Sequence, residues 1–203
     1  MEWVQENKKL AVIAGTGAFD PIHYGHLKMF DDAKKYLEQQ GYQVIKGYIS
    51  PKHEGYVSGK KPDALDIQTR INLIKLFFKD KGISWIEVFD WESKQNSPMG
   101  KQHVIRKLQQ MHPEAEVFYV SGNDYYNGVP CPSIEYDNYY KFNIVIVDKY
   151  TSSTNIRKAL DMKDYATLNA NLSPSVVAEL LKIWGEKKKF KVAEAIKYYL
   201  NRA

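Results

Sequence analysis

Leu10-Ala11-Val12-Ile13-Ala14-Gly15-Thr16-Gly17-Ala18-Phe19-Asp20-Pro21-Ile22-His23-Tyr24-Gly25-His26 is the stretch on which the fold turns. Its first five residues form an unbroken apolar run that ends on glycine. That is the pattern of a buried strand followed by a turn. From about His26 to Gln39, Leu27, Phe30, Ala33, Tyr36 and Leu37 recur at helical spacing. The glycines between strand and helix let the backbone turn tightly and approach an anion with no side chain intervening. Pro21 stiffens the loop before the helix begins.

Outward from this unit the alternation continues. Val44–Ile49, Trp85–Phe89, Val117–Val120 and Asn143–Val147 read as further strands. Helical patterns cover Asp66–Phe78, Gly100–Met111, Ser153–Leu160, Pro174–Trp184 and Phe190–Leu200. Ser173-Pro174 is a physically sound helix start, an N-cap followed by proline at the first helical position. Strands alternating with helices imply parallel strands and crossover connections. The expected fold is therefore α/β, a Rossmann-like parallel sheet flanked by helices, with C-terminal helices. One domain is expected over residues 1–203, with a nucleotide-binding core at about 10–160 and a helical part at about 161–203. In such sheets ligands bind beyond the carboxyl ends of the strands. The loops after Ala14, Ile49, Phe89, Val120 and Val147 should share that rim.

The 203-residue chain is 44% hydrophobic and 26% charged, which excludes disordered and fibrous classes. A net charge of +5 suits a protein that handles phosphorylated ligands. The basic residues are scattered, which argues against a nucleic-acid partner. The local cluster Lys187-Lys188-Lys189 with Lys191 reads as a solvated turn. Cys131 is the sole cysteine, so no intrachain disulfide can form. The run Leu10–Ala14 is far too short for a membrane span and lacks a signal-peptide layout. The expected compartment is the cytoplasm, with the nucleus left open.

His23 and His26, three residues apart, should share one face of a helical turn at the end of the first strand. Two imidazole donors aimed at phosphate oxygens would stabilise the charge that builds as pyrophosphate departs. No third ligand clusters with them, so no metal site is expected from these residues. A second string, Thr151-Ser152-Ser153-Thr154-Asn155-Ile156-Arg157, precedes a helical run. One hydroxyl there can cap the helix while others reach a phosphate, and Arg157 one turn in offers a charged fork.

Gly17-x-Phe19-Asp20-Pro21-x-His23-x-Gly25-His26 resembles the signature of the nucleotidyltransferase superfamily with a His-x-Gly-His motif. Ser152-Ser153-Thr154-x-Ile156-Arg157 resembles the C-terminal motif of nicotinamide- and nicotinate-mononucleotide adenylyltransferases. Lys46–Pro51 and Trp85–Ser93 look like the second strand and the tryptophan loop of the eukaryotic-type branch. The resemblance covers about residues 10–160. It implies an enzyme that joins nicotinamide mononucleotide, or nicotinate mononucleotide, to the adenylyl group of ATP. The products would be the dinucleotide NAD, or its deamido form, and pyrophosphate.

The same resemblance implies the site. His23, His26 and Arg157 would be catalytic. Gly17, Ala18, Phe19, Ser152, Ser153, Thr154 and Ile156 would bind ATP, and Trp91, Gly122 and Asp124 would bind the acceptor, Trp91 by stacking on the pyridine. Lys52, Lys60 and Lys61 fall in the loop that carries a phosphate-binding lysine in the family. Magnesium is expected with ATP, held mostly by the phosphates. The partners expected are small molecules, and a homo-oligomer stays open.

The chain also departs from the family. His23 stands where many eukaryotic-type members have threonine, and Ala18 where a small hydroxyl residue is common. The segment between Asp124 and Thr151 is much shorter than in the eukaryotic-type enzymes. That puts a strand, a helix and a second ring-stacking aromatic in doubt, with Tyr125 or Tyr126 as substitutes. Two alternatives remain: another small-molecule nucleotidyltransferase of the superfamily, or a non-catalytic nucleotide sensor.

Overall fold

The computed structural model describes residues 8–126 and 128–186. The expected helix at 190–200 and the lysine cluster at 187–191 lie outside the described residues. Within them the chain runs β1 (Lys9–Gly17), α1 (Tyr24–Gln39), β2 (Tyr42–Pro51), α2 (Glu54–Lys60), α3 (Ile67–Lys81), β3 (Ile86–Val88) and α4 (Lys101–Met111). It continues through β4 (Glu116–Gly122), β5 (Ser133–Asp137), β6 (Phe142–Val147), α5 (Ser153–Met162), α6 (Tyr165–Asn171) and α7 (174–186). Single 3-10 turns follow β3 at Glu92–Lys94 and β4 at Asn123–Tyr125.

The six strands form one sheet in the order β3-β2-β1-β4-β6-β5. The four inner pairings, β1 with β2, β1 with β4, β2 with β3 and β4 with β6, are all parallel. The strand order reverses at β1, the switch point where α/β sheets bind ligands. The Rossmann-like α/β expectation therefore holds, with one correction: β5 is antiparallel to β6 and closes the sheet edge. The sequence reading had no strand there, because the polar, charged Ser133-Ile-Glu-Tyr-Asp137 lacks the apolar run of a buried strand. An edge strand needs to bury only one face.

Helices α2 and α6 were also unexpected; each has seven residues, too short for periodicity to show. Asp164 caps α6 by accepting from Thr167 N at 3.1 Å. Strands β1 and β2 run three and two residues beyond the expected ends, to Gly17 and Pro51. The first motif thus begins inside a strand.

Helices cover both faces of the sheet and two apolar clusters result. One gathers Ile13, Phe30, Leu37, Phe77, Phe118 and Ile156. The other gathers Val12, Ala14, Val104, Leu108, Val117 and Ile146. Alternate residues of β1 go to opposite faces, as strand geometry requires. No helix among the described residues is long and apolar enough to cross a membrane.

Candidate functional site

The first motif is locked from below. Arg70, without exposed surface on α3, donates to the carbonyls of Ala18 at 2.9 Å, Leu65 at 3.0 Å and Lys52 at 3.1 Å. One buried guanidinium thereby ties the loop after β1 to the loop after β2. Phe19 takes φ 47°, a left-handed conformation that a bulky residue adopts only when its surroundings impose it. Its ring meets His26 edge-on at 4.8 Å.

His23 is the N-cap of α1, in extended conformation, and His26 lies at the third helical position. The two imidazoles stack, with centroids 3.7 Å apart. His26 Nδ1 accepts from the His23 backbone N–H at 3.2 Å, which leaves Nε2 to carry the proton of the neutral ring. His23 is buried, and both its ring nitrogens lack a hydrogen-bond partner among the described residues. Burial, helped by the positive charge of Lys149, brings the His23 pKa down to about 4. Burial, His23 and Lys149 together hold His26 well below the usual imidazole range. Two neutral, desolvated imidazoles at a helix N-terminus are poised to receive an anion.

The second motif packs directly on the first. Ser152 is the N-cap of α5, its hydroxyl accepting from Asn155 N at 3.3 Å. Ser153 Oγ donates to the Pro21 carbonyl at 2.9 Å, and Arg157 Nη1 donates to Asp20 Oδ2 at 2.6 Å. At Gly25, a Cβ would lie 3.0 Å from His23 Nδ1 and 3.1 Å from Thr151 Cγ2. Even a methyl group there would crowd the His23 ring and the Thr151 side chain, which would have to yield by a few tenths of an ångström. Thr154 is exposed, whereas the Ile156 side chain is fully buried in the first apolar cluster.

A pocket of about 550 Å³ opens beside this junction, lined by Thr16, Gly17, Ala18, Lys52, Lys101 and Ser121, with Tyr56, Tyr119, Tyr125 and Tyr126. The three lysines left open by the sequence separate here. Lys52 faces this pocket, its backbone N–H bound to Gly17 O at 2.9 Å and its ammonium 3.2 Å from the fully buried Glu92. Lys60 is exposed and rests on the Tyr56 ring. Lys61 lines a separate hollow with Arg157 and Trp184, where burial and then Arg157 lower its pKa.

Asp124 is exposed and ion-paired to Lys149, next to Gly122, which is buried at the end of β4. Trp91 does not line the pocket. It is half-buried, near-parallel to Phe89 at 6.4 Å, and packs on the second apolar cluster. Tyr125 and Tyr126, the suggested substitutes, do line the pocket.

Residues missed by the sequence reading include Tyr119, whose hydroxyl lies 3.3 Å from Thr16 Oγ1, and Lys101, Lys149, Arg70 and Glu92. Lys149 follows the last inner strand on the same rim and was within reach of the topology argument. Among the described residues no group of three His, Cys, Asp or Glu side chains gathers to hold a metal ion.

A parallel α/β sheet whose rim carries paired imidazoles at one helix start and a hydroxyl–arginine set at the next defines a nucleotide-handling class of protein. Residues 15–182 match the family model described as cytidylyltransferase-like, and the chain belongs to that family. A nicotinamide/nicotinic acid mononucleotide adenylyltransferase of Oryza sativa subsp. japonica is 41% identical over 86 residues, covering 42% of this chain and 32% of that protein. A nicotinamide-nucleotide adenylyltransferase of Drosophila melanogaster is 38% identical over 112 residues, covering 53% of this chain and 27% of that one. The chain thus spans about a third of the length of the curated relatives it matches.

A solved structure of a candidate nicotinate-nucleotide adenylyltransferase from Vibrio parahaemolyticus superposes with TM-score 0.60 at 23% identity, covering 87% of this chain and 94% of that one. Nicotinic acid mononucleotide adenylyltransferase of Plasmodium falciparum, complexed with NaAD, gives TM-score 0.54 at 17% identity, covering 86% and 96%. At these identities the likeness establishes the fold. The resemblance drawn from the two end motifs agrees with the relatives matched.

Proposed function

We propose that the protein is an adenylyltransferase that condenses a pyridine mononucleotide with ATP, giving the dinucleotide and pyrophosphate. The observation that carries this reading is the junction of the two motifs, from sequence positions more than 130 residues apart, through Ser153–Pro21 and Arg157–Asp20. A phosphate oxygen of the acceptor attacks the α-phosphorus of ATP. A P–O bond forms to the acceptor as the bond from α-phosphorus to the bridging oxygen breaks, and the electron pair leaves with pyrophosphate.

His23 and His26 donate to the oxygens on which that charge develops, and Arg157 neutralises it from α5. Gly17 to Phe19 and Ser152 to Ile156 seat the nucleotide through backbone N–H groups and hydroxyls. The buried Ile156 side chain takes part only by anchoring that turn. Lys52 meets the acceptor phosphate beside the loop after β1. Tyr125 and Tyr126 supply aromatic faces for the pyridine within the pocket, Trp91, held against Phe89, adds its indole face from outside the pocket lining, and Asp124 accepts from a ribose hydroxyl. Magnesium, held by the triphosphate rather than by side chains of the described residues, would lower the charge density of that group.

The test is a coupled assay of the full chain with ATP, magnesium, and nicotinamide or nicotinate mononucleotide in parallel, with phosphopantetheine as control. Dinucleotide and pyrophosphate formed in equal amounts are expected. Nucleotide binding with no pyrophosphate released from any acceptor would instead make the protein a sensor.

A further inference from the structure

Lys101 is the first residue of α4 and lines the same pocket as Lys52. Its ammonium lies 5.0 Å from the centroid of the Tyr119 ring and 5.7 Å from that of Phe142. It makes no hydrogen bond or ion pair among the described residues, whereas Lys52 is neutralised by the buried Glu92. Burial lowers the Lys101 pKa, Asp137 opposes this from a distance, and Lys52 adds repulsion. A cation at the first position of a helix is also set against the helix dipole, and Gly100 provides no side-chain cap. An unpaired, half-desolvated ammonium held by aromatic walls at that position costs stability unless an anion joins it.

Resting on the adenylyltransferase reading, we infer that Lys101 is a specificity-determining residue that makes the pocket select an acceptor whose ring carries a carboxylate. Nicotinate and nicotinamide mononucleotide have nearly the same shape, so they differ here by charge. The pyridinium of the amide brings an uncompensated positive charge toward Lys101, with Lys52 already present for the phosphate. The pyridinium of the acid carries its own carboxylate, and that group pairs with Lys101. The ammonium therefore repels one acceptor and attracts the other, the two halves of a specificity device. Lys52 is tied to the loop after β1 through Gly17 O, whereas Lys101 begins α4 on the same pocket; in this inference the phosphate falls to Lys52 and the ring carboxylate to Lys101.

The experiment compares wild type, Lys101→Gln and Lys101→Arg in two readouts: kcat/KM for each mononucleotide with saturating ATP, and calorimetric binding of each mononucleotide alone. The wild type is expected to favour nicotinate mononucleotide. Lys101→Gln should cut the nicotinate-to-nicotinamide ratio by roughly tenfold or more, the scale of one charge-assisted hydrogen bond, and Lys101→Arg should keep the preference. A ratio that stays fixed while both substrates weaken equally would assign Lys101 to the phosphate and overturn the inference. So would a wild type that favours the amide. If neither mononucleotide is turned over, the transferase reading fails, and the binding ratio decides this inference alone. Selective binding of the acid, lost in Lys101→Gln, supports it, and unselective or absent binding overturns it.

Discussion

Asp20 of the first motif and Arg157 of the second form an ion pair at 2.6 Å, with Asp20 fully buried and the arginine side chain 18% exposed. Asp20 also accepts from the Leu65 backbone N–H at 3.0 Å. The sequence suggested Arg157 as a fork aimed at phosphate. The structure shows that Nη1 is spent on Asp20, which ties the guanidinium to the loop that leads into α1. In the role proposed for it, a guanidinium already tethered in this way would lose little side-chain entropy on meeting a phosphate. Removing one member of a buried pair leaves the other uncompensated, at about 3–5 kcal/mol. Asp20→Ala should therefore lower the unfolding free energy by about 3 kcal/mol in urea titration. A loss under 0.5 kcal/mol would mean that the pair has no structural role.

The histidine pair makes stability depend on pH. His23 has a folded pKa of about 4 against 6.5 for a free imidazole. Below about pH 6.5 the unfolded chain therefore binds a proton that the folded chain refuses. The stability contributed by keeping His23 neutral is complete above 6.5 and is lost as the pH falls toward 4, by about 3 kcal/mol in total. Chemical denaturation from pH 7 to 4.5 should show this slope, and His23→Asn should flatten it. Equal slopes for variant and wild type would show that His23 titrates normally in the fold.

Much of this was legible beforehand, for a physical reason. The parallel core strands are apolar runs, and α1, α3, α4 and α5 are long enough for a 3.6-residue period to show. Both end motifs were visible because a strand–helix turn built to take a phosphate, the role proposed here, demands particular residues at fixed spacing. What stayed hidden depended on tertiary position. Arg70 sits in an amphipathic helix where an arginine ordinarily faces water, and its three carbonyl partners come from loops at distances that no local pattern encodes. Glu92 likewise reads as an exposed acid, yet it is fully buried against Lys52. Lys101 has the sequence context of an ordinary helix start. Only the sheet order brings it across from Lys52.

His26→Ala separates catalysis from folding. Nε2 is the donor that the His26 hydrogen bond to His23 N leaves free. Loss of one such donor to a developing oxyanion lowers kcat by about 10²–10³. Loss of the Nδ1 contact at the start of α1 costs about 1 kcal/mol, as for other caps. Single-turnover rates and thermal unfolding on the same preparation check both values. Turnover within threefold of wild type would remove His26 from the mechanism.

Trp91 carries two assignments that one pair of variants can divide. Its half-buried ring packs near-parallel to Phe89 on the second apolar cluster, so truncation opens space beside Phe89. Because the ring is only partly buried, Trp91→Ala should cost about 2 kcal/mol, less than the 3–5 kcal/mol of a full core aromatic. The family resemblance adds a stacking role on the pyridine, which would raise the KM for the acceptor several-fold while leaving the KM for ATP near its wild-type value. Trp91→Phe keeps an aromatic face and most of the packing. It should recover stability to within about 1 kcal/mol and restore most of the acceptor KM. If Trp91→Ala loses stability while the acceptor KM stays constant, Trp91 belongs to the core alone, and the ring contacts pass to Tyr125 and Tyr126, which line the pocket.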